Sequence, residues 1–231
     1  ADLDRMESGG CIPGAKAEKV SPRAKERGRA QLGTLGSGNH FIELGKVDRI
    51  FDPLAAERLG LGLGSLCVMI HTGSRGLGHQ VCDDFIGRML KASKKYGIEL
   101  PDRQLCCAPV RSAEGQEYLA AMAAAANFAF VNRQIISHGL RQAMVAVLGQ
   151  PLEKLGLSLV YDVAHNMAKL ESHTFEGKSR EVCVHRKGAT RAFGPGHAEL
   201  PGALRDLGQP VIIPGDMGRY SFLLAGTRGA M

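Results

Sequence analysis

The sequence predicts an α+β protein, with mixed sheets and helices packed around them, as a single domain over residues 1–231. Helical and strand-like segments follow one another without regular βαβ alternation, which argues against a doubly wound parallel sheet. Of the 231 residues, 44% are hydrophobic and 23% charged, as is typical of one globular domain. No apolar run approaches the ~18 residues of a membrane span, so no membrane association is expected.

The first half of the chain carries two strand signals and one strong helix signal. Residues 40–47 (HFIELGKV) predict a strand, followed by a loop and a short helix through residue 60. The run 65–70 (SLCVMI) is short and apolar, as a buried strand would be. A glycine-rich turn occupies residues 71–79. A helix then extends to Tyr96, because apolar residues recur at helical spacing and Gly97 suits a helix end.

The second half mixes one long helix with short strands. Residues 113–148 are rich in Ala, Leu, Met, Gln and Arg and lack Pro, which favours a long helix or a broken helical pair. Residues 157–163 predict an apolar strand that ends at Ala164–His165. Further strands are predicted at residues 181–185, 210–214 and 220–226.

The two ends and the cysteines bear on what kind of protein this is. The chain has no initiator Met and stops just after a strand-like run, so we expect a piece of a longer protein. None of the six cysteines forms a CxxC pair. In a chain of this length they predict reduced thiols and a cytoplasmic location.

Basic residues concentrate in two places. The net charge is +6, and six of the basic residues lie between Lys16 and Arg29. A second cluster comprises His185, Arg186, Lys187 and Arg191. Such patches attract phosphate backbones. Two solvated surface segments would give the same pattern on charge alone.

Three histidines lie at the ends of predicted strands. His71 closes the run CVMI, His165 closes LVYDVA, and His40 opens FIEL after a glycine turn. Strand ends hold side chains rigidly, and neutral imidazole is the commonest metal ligand in proteins. One such histidine is more often structural. Three of them, with Asn39 and Asn166 alongside, favour a metal site.

Two glycine-rich turns add a phosphate signal. Residues 33–40 (GTLGSGNH) and 71–79 (HTGSRGLGH) place glycines so that backbone N–H groups can face an anion. Arg75 lies inside the second turn, where its planar guanidinium could bind a phosphate through two hydrogen bonds. A third turn follows the predicted strand at 210–214. Together these features predict chemistry on nucleotides or nucleic acid.

Five strings, in order along the chain, resemble the signature segments of the RtcB family of RNA ligases. They are QLGTLGSGNHFIE (31–43), VMIHTGSRGLGHQV (68–81), YDVAHNMAK (161–169), VHRKGATRAF (184–193) and PVIIPGDMG (210–218). The resemblance covers essentially the whole chain. It implies a GTP- and Mn²⁺-dependent ligase for tRNA splicing and RNA repair, with RNA ends (tRNA halves or broken RNA) and GTP as partners. An activating protein is a further partner the family allows, and no DNA is expected.

The resemblance also assigns residues. It implies two Mn²⁺ ions, with His40, His71 and His165 as metal ligands. It places Arg27 and Arg75 on the terminal phosphate of the RNA. The residues that it places on the guanine nucleotide are Asn39, His40, Phe41, Ile42, Glu43, His165, Asn166, Pro214, Gly215, Asp216, Met217 and Ser221.

In the family, a 2′,3′-cyclic phosphate is opened to a 3′-phosphate, a histidine accepts GMP from GTP and passes it to that phosphate, and a 5′-hydroxyl then displaces GMP. The guanylylated histidine belongs to an HGAG segment absent from this chain. An Asp and a bridging Cys ligand belong to a DxxC segment that is also absent. Asp216 stands where many relatives carry a small hydroxyl residue. We therefore expect these 231 residues alone to be inactive and to bind metal weakly.

Two other functions fit parts of the pattern. A metal-dependent phosphodiesterase or nuclease would use the same histidines with water as the nucleophile and without GTP. A non-catalytic RNA-binding module would use only the two basic clusters. The low aromatic content of 5%, without Trp, offers no evident platform for stacking bases.

Overall fold

The computed structural model describes residues 2–216 and 218–229, and it confirms the α+β class. The helices in these ranges are α1 (Pro22–Arg29), α2 (Pro53–Arg58), α3 (Arg75–Lys95), α4 (Ala113–Leu148) and α5 (Leu152–Leu155). The strands are β1 (Phe41–Lys46), β2 (Leu66–His71), β3 (Asn166–Phe175), β4 (Lys178–Lys187), β5 (Pro210–Ile213) and β6 (Phe222–Ala225). They pair as three two-stranded antiparallel sheets, β1 with β2, β3 with β4 and β5 with β6.

Helix α4 is the centre of the fold and is one continuous helix. It begins after Ser112, whose side chain accepts a hydrogen bond from the Gly115 N–H at 3.1 Å. It ends at Gly149, whose φ of 61° is favourable for glycine. By length and composition it is the one helix in the described ranges that could span a membrane. Half of its most apolar window is buried inside the protein, as in a core helix.

Two faces of α4 build the core. On one face Ala121 and Ala125 pack against the buried side chains of α1 and α3. On another, Ala123 and Phe130 pack against the N-terminal segment and the start of β3. The small alanine side chains let these neighbours approach the helix closely. Segments far apart in sequence therefore meet around α4, among them those that carry the three histidines.

The β1–β2 hairpin confirms the strands predicted at residues 40–47 and 65–70. Its register pairs Phe41 with His71 and Glu43 with Met69. Successive side chains on a strand point to opposite faces, so Phe41 and Glu43 share a face with His71. Ile42 points to the other face.

The strand predicted at residues 157–163 is wrong. This segment is extended but forms only an isolated bridge between Asp162 and Met6. Its backbone instead bonds to the N-terminal segment, with the Asp162 N–H donating to the Arg5 carbonyl and its carbonyl accepting from the Glu7 N–H. The ladder begins later, at Asn166, and β3 turns back into β4 through Glu176 and Gly177, both at positive φ.

The glycine-rich turn predicted at residues 71–79 is shorter than expected. Helix α3 already begins at Arg75, so only residues 72–74 form the turn. The polar segment before residue 30 contains a helix that the sequence did not predict, α1. It begins at Pro22, and the Ser21 side chain caps it by accepting from the Ala24 N–H at 3.1 Å.

Candidate functional site

His71 and His165 come together at the ends of two different hairpins. His71 is the last residue of β2, and His165 immediately precedes β3. Their Nε2 atoms are 3.3 Å apart, and their ring centroids are 5.2 Å apart. Residues separated by 94 positions in the chain thus present one ring nitrogen each to a common point.

His40 extends this pair into a row of three rings. Its ring packs edge-on against His71, with centroids 6.1 Å apart. Its Nδ1 lies 3.4 Å from Nη1 of Arg75. The three histidines chosen from the sequence therefore converge, and an arginine closes the end of the row.

The environment favours neutral imidazole rings. Burial, followed by the charges of His165, His40 and Arg133, lowers the pKa of His71. Burial, followed by the charge of Arg75, lowers the pKa of His40. Both pKa values fall below an ordinary value that is already under 7, so both rings are mainly neutral at pH 7. Neutral imidazole is the form that binds metal.

The His71–His165 pair fits part of a metal site. A tetrahedral ion with bonds of about 2.1 Å places two ligand nitrogens about 3.4 Å apart, close to the observed 3.3 Å. Nδ1 of His71 is buried without a hydrogen-bond partner. Across residues 2–216 and 218–229, no group of three or more His, Cys, Asp or Glu side chains could by itself enclose an ion. The pair can therefore supply two ligands of a metal site.

The first glycine turn packs directly on Arg75 and His40. Gly36 has a φ of 107°, and a Cβ atom there would lie 1.9 Å from Nη1 of Arg75 and 2.5 Å from Nδ1 of His40. The Nε of Arg75 donates to the Thr34 hydroxyl at 3.2 Å. Arg75 itself has a φ of 52°, a strained conformation for a residue with a side chain. Such strain is frequent at functional sites.

Arg27, on α1, contacts the first turns of α3, the helix that begins at Arg75. Its Nη1 donates to Oε1 of Gln80 at 2.8 Å, and its Nε would be 3.4 Å from a Cβ at Gly76. The Gly76 N–H is held by Oε1 of Gln31 at 2.7 Å. Both arginines assigned to the RNA phosphate therefore lie at the N-terminal end of α3, Arg75 as its first residue and Arg27 packed against it from α1.

The residues assigned to the nucleotide fall into two groups. Phe41 lies against the His71 ring, with centroids 5.2 Å apart, and Glu43 shares its face. The side chain of Ile42 is on the opposite face, so only its backbone could reach a ligand bound beside His71. Asn39 is exposed, whereas Oδ1 of Asn166 already accepts from the Gly188 N–H at 2.8 Å.

The second group lies in the loop between β5 and β6. The hydroxyl of Ser221 accepts from the Gly215 N–H at 3.0 Å and closes the loop around Pro214 and Asp216. Among the described residues, no hydrogen bond joins this loop to the three histidines. Met217 lies outside the described residues.

The second basic cluster is not a free basic patch. Arg186 donates to both carboxylate oxygens of Glu171, at 2.6 and 2.8 Å. Arg191 is 3% exposed and forms ion pairs with Glu7 and Glu199. Two of its four residues are thus neutralised by carboxylates, which weakens the interpretation of this cluster as an RNA-binding surface.

Sequence reasoning missed the side chains that hold the site together. Asn132 and Arg133 of α4 are buried and donate hydrogen bonds to the carbonyls of Gly73 and Thr72, the two residues that follow His71. Arg133 also pairs with buried Asp162, and Oε2 of Glu7 accepts from the Ala164 N–H next to His165. The available signal was an Asn-Arg pair in the middle of an alanine-rich helix, where polar residues need partners.

The chain is similar to known proteins over its whole length. The model of the family "tRNA-splicing ligase RtcB" matches residues 1–231. A protein of that name from Archaeoglobus fulgidus is 58% identical over 230 residues, covering 100% of this chain and 48% of the relative. An RNA-splicing ligase RtcB from Mycobacterium tuberculosis is 55% identical over 228 residues, covering 99% of this chain and 52% of the relative.

The match to a third relative covers a smaller share of it. The tRNA-splicing ligase RtcB of Pyrococcus furiosus is 56% identical over 231 residues, which are 100% of this chain and 24% of the relative. This chain therefore spans about half the length of the first two relatives and about a quarter of the third. The family match covers every residue of the chain. This chain belongs to the RtcB family of tRNA-splicing ligases.

Proposed function

We propose that this chain forms the metal- and phosphate-binding part of a GTP- and Mn²⁺-dependent RNA ligase. The ligase joins 2′,3′-cyclic phosphate or 3′-phosphate ends to 5′-hydroxyl ends through a histidine-GMP intermediate. The observation that carries the proposal is the 3.3 Å approach of the Nε2 atoms of His71 and His165 in a member of the RtcB family. RNA substrates are supported by the names of the relatives, tRNA-splicing and RNA-splicing ligase.

His71 and His165 would hold Mn²⁺, with His40 beside them. Bound divalent metal neutralises phosphate charge and orients the groups that react. The lowered pKa values of His71 and His40 suit this role, because a neutral ring binds metal without first losing its second proton. Additional ligands would complete each of two ions, since these three side chains alone do not enclose one.

Arg75 and Arg27 would bind the RNA terminal phosphate. Arg75 is placed between the histidine row and the glycine turn, and its hydrogen bonds to Thr34 and His40 fix the direction of its guanidinium. A guanidinium can form two parallel hydrogen bonds with a phosphate. The phosphate would therefore lie close to the metal ligands, as transfer to or from it requires.

The guanine nucleotide would lie on the face that Phe41 and Glu43 share with His71. The loop of Pro214, Gly215 and Asp216, closed by Ser221, would add contacts from β5 and β6. We further propose a cytoplasmic location, supported by six free thiols. An activating protein is a further proposed partner.

The ligase proposal is tested in a chimera. The matching 230 residues of the Archaeoglobus fulgidus relative are replaced by this chain, and the purified protein is incubated with labelled GTP and Mn²⁺. The proposal expects an acid-labile, protein-bound GMP and joining of 3′-phosphate to 5′-hydroxyl RNA. His71→Gln should lower the joining rate at least about a hundredfold, whereas exposed His138→Gln should not.

Three outcomes would contradict it. RNA hydrolysis without protein-bound GMP would indicate a phosphodiesterase or nuclease. RNA binding that is insensitive to His71→Gln, without any joining, would indicate a binding module. Joining without GTP would remove the nucleotide from the proposal while leaving the metal site in place.

A further inference from the structure

A single arginine of the core helix bridges the two segments that carry His71 and His165. Nη1 of Arg133 donates to the carbonyl of Thr72, the residue after His71, at 3.1 Å. Its Nε donates to Oδ1 of Asp162, three residues before His165, at 2.7 Å. Arg133 is 9% exposed and Asp162 is 7% exposed, so water contributes little to this bridge.

Nothing else in the described ranges makes the same connection. The segment around His71 bonds to β1, Leu35 and Asn132, and the segment around His165 bonds to the N-terminal residues and Gly188. Apart from the contact of the two imidazole rings themselves, Arg133 is the one described side chain that hydrogen-bonds to both the segment around His71 and the segment around His165.

The Arg133 side chain is itself held in one direction. Its guanidinium lies over the ring of Phe130, one helical turn earlier, at 4.8 Å from the centroid. Phe130 is 1% exposed and belongs to the core. Through Arg133, the rigid helix α4 therefore fixes the positions of the segment after β2 and the segment before β3 relative to each other.

We propose that Arg133, through Asp162, is a positioning residue that sets the separation of His71 and His165. The proposal rests on the proposed function for its purpose, because that separation matters only if both rings bind one ion. A buried ion pair is a poor source of stability, since apolar residues of similar volume often replace it at little cost. The bridge is better explained by the geometry that it imposes on the two rings.

The test removes the bridge without leaving a buried charge. The double variant Arg133→Met with Asp162→Leu replaces both partners by apolar side chains, and the backbone bonds of residue 162 remain available. The matched control is Arg141→Met with Asp2→Leu. It removes an ion pair of 2.9 Å from the same helix, with no contact to either histidine segment. Should the double variant not fold, Arg133→Lys replaces it, because one ammonium on a flexible stem is a poor substitute for the planar guanidinium that spans both acceptors.

Two measurements are made on each folded protein. The first is the NOE between the ring protons of His71 and His165 in the metal-free chain, which reports the separation without any metal. The second is the affinity for Mn²⁺ alone, followed by paramagnetic broadening of the same ring signals. We expect the bridge variant to lose the NOE and to bind Mn²⁺ about tenfold more weakly, and the control to match the unsubstituted chain.

The outcomes separate positioning from simple stabilisation. A purely structural role predicts a lower melting temperature with the NOE and the Mn²⁺ affinity unchanged, and that result would overturn the proposal. Loss of the NOE in a chain that binds no Mn²⁺ at these rings would support the positioning role and contradict the proposed metal site. An intact NOE with weakened Mn²⁺ binding would also overturn it, because the bridge would then act on the metal by another route.

Discussion

Replacing Asn132 by alanine should strongly destabilise the protein. Asn132 is 0% exposed, and its amide lies between the two glycine turns. Its Oδ1 accepts from the N–H groups of Gly33 and Thr34 at 2.6 and 3.2 Å. Its Nδ2 donates to the carbonyls of Thr34 and Gly73 at 3.1 Å each.

The expected cost follows from these four hydrogen bonds. Each contributes on the order of 1 kcal/mol net, so Asn132→Ala should lower the free energy of unfolding by about 4 kcal/mol. For a chain of this size that corresponds to a fall of roughly 8–16 °C in Tm. Asn132→Asp should be comparably harmful, because a carboxylate oxygen would face two carbonyl oxygens in place of the amide donor.

Urea and thermal unfolding followed by circular dichroism measure the effect. Asn127→Ala is the matched control on the same helix, since Asn127 binds the backbone of Ile12 through two hydrogen bonds of 2.7 and 3.2 Å. The control should lose about 2 kcal/mol, half as much. An Asn132→Ala protein no less stable than the Asn127→Ala protein would refute the idea that Asn132 holds the two turns together.

Three further predictions concern the site itself. Gly36→Ala should weaken Mn²⁺ binding in a titration, because the new Cβ displaces Arg75 and His40. The control Gly38→Ala, at φ 79° with open space around it, should add backbone strain alone. Equal losses of Mn²⁺ affinity in the two variants would contradict this. The Arg75→Gly variant should be about 1 kcal/mol more stable than the Arg75→Ala variant in urea unfolding, because only glycine adopts a φ of 52° without strain. If the alanine variant were the more stable one, backbone strain at residue 75 would be excluded. Because the pKa of His71 is lowered in the folded state, the folded protein binds fewer protons at this ring than the unfolded protein does. The contribution of His71 to the free energy of unfolding is therefore complete above about pH 6.5 and is lost as the pH falls through the folded pKa. His71→Gln should flatten that part of the pH profile of unfolding, and an unchanged profile would show that His71 is not the group responsible.

The sequence predicted which histidines come together better than it predicted the path of the chain around them. His71 could be placed because a short apolar run must end where it leaves the core, and β2 does end there. The same argument at residues 157–163 gave a wrong strand. An extended apolar segment can bury its side chains without a ladder when a loop satisfies its backbone, as the N-terminal residues do for Asp162.

The residues that fix the site's geometry were beyond sequence reasoning for a different reason. Arg133 and Asn132 matter because of carbonyl and amide groups 59 to 99 positions away, and backbone groups leave no signature in a sequence. The neutralisation of Arg186 and Arg191 likewise depends on which carboxylates the β3–β4 hairpin and the N-terminal segment bring near them. Charge counted along a chain cannot reveal such partners.

The most direct measurement is anomalous diffraction at the manganese edge from crystals of this chain soaked in millimolar Mn²⁺. An anomalous peak about 2.2 Å from Nε2 of both His71 and His165 is the predicted result. A peak only at other side chains, or density with Nε2 of the two histidines hydrogen-bonded to each other and no ion between them, would contradict a metal site at this pair.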